Sequence, residues 1–138
     1  MSYWVYFLFV GDLKNGNNRK IYIGYTNHLM TRLSQHIGLS STKGAKITKK
    51  QPIELARVEM YDKKKEALQR EWQLKHKSPM NQKNNKLRLI NEFKEKYPSE
   101  LQKINNYLKD YYEYLNLIGK NLLNEEKKII VALKRNQV

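Results

Sequence analysis

Residues 3–10 form an unbroken aromatic and aliphatic run, Tyr-Trp-Val-Tyr-Phe-Leu-Phe-Val, the composition of a strand. Gly11-Asp12 and Lys14-Asn15-Gly16-Asn17-Asn18 interrupt it with turn residues. Residues 20–25 resume the strand pattern, so the two runs pair as a hairpin with a long loop. The period then lengthens. Leu29, Leu33 and Ile37 recur every four residues, which predicts a helix over 28–37 with Asn27 as its N-cap and Gly38 as its stop. Residues 38–51 are mainly Ser, Thr, Gly and Lys and read as a basic surface loop. Pro52 opens a third strand, 53–61. A second helix is predicted over 63–77, where Ala67, Leu68, Trp72 and Leu74 mix with polar positions, and a third over 85–96.

From Leu101 the apolar positions step by three and four through Ile104, Leu108, Tyr111, Leu115, Ile118 and Leu122, a heptad seam. Pro98-Ser99 marks the boundary before it, with Ser99 and Gln102 as a capping box. The chain therefore divides into a domain over 1–97 and a mainly helical extension over 98–138. The seam either lies on the chain's own domain or joins a second copy or a protein partner through residues 99–122. Gly119 weakens a long continuous coil. Residues 129–133, Ile-Ile-Val-Ala-Leu, suit a strand and a short helix equally.

Charge sharpens this division. The 138 residues carry formal charge +14. Residues 1–96 hold 20 Lys+Arg against 8 Asp+Glu, while 97–138 hold 7 against 5. A lysine-rich composition inherited from an AT-rich genome would touch the tail as well. The basic character belongs to the module with the strands, which suits a polyanionic partner. There is no cysteine, so disulfide frameworks and cysteine-ligated zinc modules are excluded. That absence fits an intracellular setting, cytoplasm or nucleus. No apolar run approaches the roughly 20 residues of a membrane span, and no secretory signal is expected.

Cleaving a phosphodiester requires neutralising its charge, activating a water and stabilising the leaving oxygen. A carboxylate-held divalent ion serves the charge and the leaving group, an arginine fork clamps the phosphate, and a tyrosine or histidine takes the water's proton. The chain offers Tyr6 and Tyr22 on adjacent strands, Arg32 and His36 four apart on one helix face, and Glu71 in the second helix. Taken singly each has a plainer role: strand aromatics for the tyrosines (Tyr25 is as visible as Tyr22), a solvated arginine, a histidine complementing the helix dipole, and a glutamate paired with Lys75 at i,i+4. Lys43, Lys46, Lys49 and Lys50 in the basic loop, with Arg70 and Lys75, are the candidate DNA-backbone contacts.

In order and spacing these residues resemble the GIY-YIG nuclease superfamily. Val5-Tyr6 stands for the end of the first motif, with Trp4 where glycine often occurs, and Tyr22-Ile23-Gly24 is the second. Arg32 lies ten residues after Tyr22 and His36 four further on. Gly44-Ala45-Lys46-Ile47-Thr48, Pro52 and the run Ala67-Leu68-Gln69-Arg70-Glu71-Trp72-Gln73-Leu74-Lys75 are similar to the small stand-alone and eukaryotic branched-DNA subfamily. The likeness covers residues 3–90. It implies an α/β (α+β) domain with a three-stranded antiparallel sheet flanked by helices, and Mg²⁺ or Mn²⁺ held by Glu71 with waters. It implies Tyr6 as the favoured general base, Tyr22 orienting the water or taking the place of Tyr6 as base, Arg32 on the phosphate, and His36 bonded to Tyr6 or the phosphate. Phenols titrate near 10, so such a base needs a cation or histidine to act at neutral pH. The zinc-binding module of the eukaryotic enzymes has no counterpart here. The expected activity is a DNA endonuclease selective for flaps and junctions, as in repair and recombination, or for single strands. The alternative is an inactive nucleic-acid-binding module.

Overall fold

The computed structural model describes residues 2–11, 19–37 and 52–135, without the side chains of 116 and 118–125. Its elements run β1 (Tyr3–Val10), β2 (Lys20–Thr26), α1 (Leu29–Ile37), β3 (Ile53–Tyr61), α2 (Lys64–His76), α3 (Lys83–Lys96) and α4 (Pro98–Arg135). The strands form one antiparallel sheet in the order β2-β1-β3, so the α/β class and the flanked three-stranded sheet are as expected.

β1 is central and its residues bury on both faces, which explains its unbroken apolar run. Successive side chains of a strand alternate. Val5, Phe7 and Phe9 pack with Ala67 and Leu74 of α2 and Leu89 and Ile90 of α3. Tyr6, Leu8 and Val10 pack with Leu33 and Ile37 of α1 and Leu101 and Leu108 of α4. The result is a three-layer arrangement, helices on both faces of the sheet. A bulge opposite Phe7 and Leu8 adds Ala56 to β3 and turns it and Arg57 toward the α2–α3 layer. There Arg57 Nη1 donates to the Leu89 carbonyl at 2.9 Å.

The heptad seam is spent within the chain over its first half. Leu101 and Leu108 are buried, and Ile104, Tyr111, Tyr112 and Leu115 pack against the same core as Tyr6. Asn105 fastens this helix to the sheet. Its Oδ1 accepts the Leu55 N–H at 2.7 Å and its Nδ2 donates to the Leu55 carbonyl at 3.0 Å. Both groups lie on the outer edge of β3, where a strand otherwise presents unpaired polar groups. Toward the other end, Ile129, Ile130, Val131 and Leu133 are exposed.

Two local expectations, both at helix starts, are corrected. The first helix begins at Leu29, and Arg32 N donates to the His28 carbonyl, so His28 rather than Asn27 stands at the cap; the Thr26 hydroxyl accepts the His28 N–H at 3.0 Å. Ser99 does not cap α4, because Pro98 already occupies its first turn. Proline suits that place, since its missing N–H would have no helical partner. Leu101 N donates to the Tyr97 carbonyl instead. Gly119 does not stop α4, since one glycine costs only about 1 kcal/mol and the first half is held in the core. Residues 129–133 continue that helix rather than forming a strand.

Candidate active site

The strand alternation that sends Leu8 and Val10 into the α1–α4 layer sends Tyr6 there too. The four-residue apolar period of α1 does the same for His36, which lies on the helix face of Leu33 and Ile37. Both are fully buried. Tyr6 Oη and His36 Nε2 are 2.7 Å apart. Tyr22, one strand over, completes a triangle of rings, with centroids 6.2 Å from Tyr6 and 5.2 Å from His36.

Burial decides the protonation of the pair. It raises the Tyr6 hydroxyl pKa well above 10; the neighbouring Tyr22 and Glu71 charges add to that, and Arg32 draws it part of the way back by hydrogen bonding and charge. Burial, with the Arg32 charge, lowers His36 to about 4. At neutral pH the phenol is protonated and the imidazole is neutral, so a single proton lies between them and the His36 tautomer sets which of the two donates.

A stability test follows. Unfolded, His36 titrates near 6.5, and folded near 4. Above pH 6.5 neither state binds the proton. Between 6.5 and 4 the unfolded state takes it up first, so stability falls as pH drops, by about 3 kcal/mol over the whole interval. Melting curves from pH 7.5 to 4.5 should show this decline. In His36→Asn, the decline should be much shallower even if its starting stability is lower. An equally steep decline in that variant would remove His36 from the account.

The second motif's glycine has a steric reason. Gly24 lies directly across from Tyr6 in the β1–β2 register. A Cβ built there would overlap the Tyr6 hydroxyl and ring, with Cε2 at 2.7 Å. Only glycine leaves room for the phenol to lie across β2 toward His36.

Glu71 arrives from the opposite layer. α2 packs Ala67 and Leu74 under the sheet, and its Glu71 flank meets the β2 edge. Lys75 Nζ sits 3.7 Å from Glu71 Oε2 and 5.7 Å from the Tyr22 ring centre. The Glu71 charge is felt at both Tyr6 and Tyr25. The i,i+4 Glu–Lys pair and the approach to the tyrosines therefore coexist. Arg32 is half-buried, bonds Gln35 Oε1 at 3.3 Å, and acts on Tyr6 and His36. Tyr6, Tyr22, Arg32, His36 and Glu71 thus converge around the outer strand of the sheet. Tyr25 points the other way and stacks on Tyr3 at 6.4 Å.

Arg70 does not join them. Its Nε and Nη2 bind both oxygens of Glu59 at 2.8 and 3.2 Å. Glu59 also accepts from Tyr61 at 2.7 Å and Arg57 at 3.0 Å. Burial pushes the Glu59 carboxyl up, but these donors outweigh it and hold the group below its usual range. This cluster ties α2 to β3 and so holds the helix that bears Glu71. Sequence reasoning missed Glu59, although the period-two spacing of Arg57, Glu59 and Tyr61 on one strand face was its signal. Lys43, Lys46, Lys49 and Lys50 lie outside the described residues.

No group of three or more His, Cys, Asp or Glu among the described residues is arranged to hold a metal. A lone carboxylate is a hard oxygen donor, and it fits an ion such as Mg²⁺ that keeps most of its waters and takes its remaining ligands from substrate phosphates. A cavity of about 690 Å³ lined by Trp4, Arg57, Phe93 and Tyr97 includes none of the five residues. The five gather instead at a sheet edge, an arrangement suited to a long polymer.

The arrangement is a small α/β domain whose five candidate residues gather around one edge strand. The GIY-YIG catalytic domain matches residues 2–87, and the chain belongs to that family of endonucleases. The family's nucleases generally use divalent metals and act on DNA. The chain is similar to a UPF0213 protein of Bacillus velezensis, 40% identical over 60 residues, 43% of this chain and 58% of that protein. It thus spans little more than half the length of that relative. A UPF0213 protein of Staphylococcus saprophyticus is 34% identical over 88 residues, 63% of this chain and 95% of its own. UPF0213 protein YsiG of Lactococcus lactis is 36% identical over 111 residues, 78% and 98%. No solved structure matches significantly. These relatives are bacterial, and the narrower likeness to eukaryotic branched-DNA enzymes rests on residues 44–75 alone. No helix among the described residues is long and apolar enough to cross a membrane.

Proposed function

We propose that this chain is an intracellular, divalent-metal-dependent endonuclease that hydrolyses DNA phosphodiester bonds, selective for flaps and junctions or for single strands. The observation that carries this reading is the 2.7 Å Tyr6–His36 bond within a cluster that also gathers Tyr22, Arg32 and Glu71. Glu71 would hold Mg²⁺ or Mn²⁺, which when bound supplies positive charge to the phosphate and the leaving oxygen. Arg32 binds a phosphate oxygen. Full burial keeps Tyr6 from bulk water, which supports Tyr22, half-exposed, as the phenol that meets the attacking water. Tyr6 stands behind it, hydrogen-bonded to the neutral His36, which holds the phenol in place beside Tyr22. Lys75, with Lys43, Lys46, Lys49 and Lys50, would contact the DNA backbone, and the first half of α4 braces the domain. Arg70 serves better in holding α2 than in touching DNA.

The test is cleavage of flap, junction, single-stranded and duplex DNAs with Mg²⁺ or EDTA, run beside Tyr6→Phe and Tyr22→Phe. Each substitution keeps the ring and removes the oxygen. The expected result is metal-dependent cutting, reduced at least about a hundredfold in either variant, the scale of general-base catalysis. Normal cutting by both variants would assign the phenols to packing alone. Absence of cutting on every substrate, with binding retained, would favour an inactive nucleic-acid-binding module.

A further inference from the structure

Trp72 is 57% exposed although it directly follows Glu71. A helix turns about 100° per residue, so Trp72 lies beside the Glu71–Lys75 stripe, on the side away from Arg70, which faces Glu59. Its ring is braced by His76, one turn on, with centroids 5.6 Å apart. Leu68, one turn back, is 40% exposed. A single exposed apolar residue is ordinary. This one is a large flat ring adjoining the candidate metal-binding carboxylate, with cations at hand. Lys75 is close by, and its charge acts on half-buried Lys86 of α3, so a second ammonium lies near Lys75.

We propose that Trp72 is a stacking platform for an unpaired nucleobase of the substrate strand, beside the scissile phosphate; this rests on the nuclease reading above. Phosphates would lie along Lys75 and Lys86 while the base covers the indole, the usual division of labour in single-strand binding. A base inside a duplex already has both faces stacked, so the platform discriminates for single strands and for the unpaired arm of a flap.

The chain has two tryptophans, Trp4 and Trp72, so Trp4→Phe leaves Trp72 as the sole reporter. An oligothymidylate added in EDTA should quench its emission. By anisotropy, also in EDTA, Trp72→Ala should bind that oligonucleotide about tenfold or more weakly, with little change on a blunt duplex. Trp72→Phe should recover most of the loss. Unchanged single-strand affinity in Trp72→Ala, or an equal loss on duplex, overturns the proposal. The binding assay needs no cleavage, which separates the two readings. A chain that cuts DNA while Trp72→Ala binds normally keeps the nuclease and loses the platform. A chain that shows the expected binding pattern but cuts nothing with Mg²⁺ keeps the platform and loses the nuclease.

Discussion

Glu71→Gln is expected to abolish metal-dependent cleavage while leaving the fold intact. The amide keeps the size of the side chain and an acceptor oxygen but removes the negative charge. The other acid of this helix, Glu66, falls in its exposed first turn, and the nearby buried acid, Glu59, is already bound by Arg57, Arg70 and Tyr61. Among the described residues, no neighbouring carboxylate is therefore in place to substitute. A rate loss of about a thousandfold corresponds to roughly 4 kcal/mol of transition-state stabilisation. The lost pair with Lys75 is at 3.7 Å and partly exposed, and such pairs contribute under about 1 kcal/mol to stability. Initial rates over a range of Mg²⁺ and Mn²⁺ concentrations, with melting temperatures alongside, check both halves. A variant that cuts within tenfold of the parent would show that the ion, if used, is held elsewhere.

Gly24→Ala should damage both stability and activity, although it adds one methyl group. That methyl falls on the Tyr6 ring, which is fully buried and bonded to His36. The ring can yield only by leaving its place, so the hydrogen bond breaks or the strands part. Overpacking of a tight core costs about 1–3 kcal/mol, and a displaced Tyr6 should lower the cleavage rate by about a hundredfold. A double-mutant cycle isolates the cause. In a Tyr6→Ala background the ring is gone, and Gly24→Ala should then cost little, giving strong non-additivity. Additive costs would mean that Gly24 matters for some reason other than the phenol lying over it.

The sequence by itself determined what depends on local periodicity. A period of two in β1 separates Tyr6 from Val5 and Phe7, and a four-residue step in α1 puts His36 with Leu33 and Ile37. These fix which side chains share a face before any partner is known. Turn chemistry was legible less finely: Pro98 displaced Ser99 at the start of α4, because proline fits where no N–H is needed. What only the tertiary structure decided is which face meets which element. Arg70 and Glu71 are neighbours in sequence, yet a 100° turn sends one to Glu59 on β3 and the other to the edge of β2. No local pattern distinguishes those flanks. The heptad of α4 would serve a dimer as well as a core, because both bury the same apolar stripe. Packing against Tyr6, Leu8 and Leu33 and the Asn105 bonds to Leu55 settled its first half in favour of the chain's own sheet. The proton state of the site was equally hidden: Tyr6 and His36 are thirty residues apart, and their pKa values follow from a burial that exists only once α1 and α4 close over the central strand.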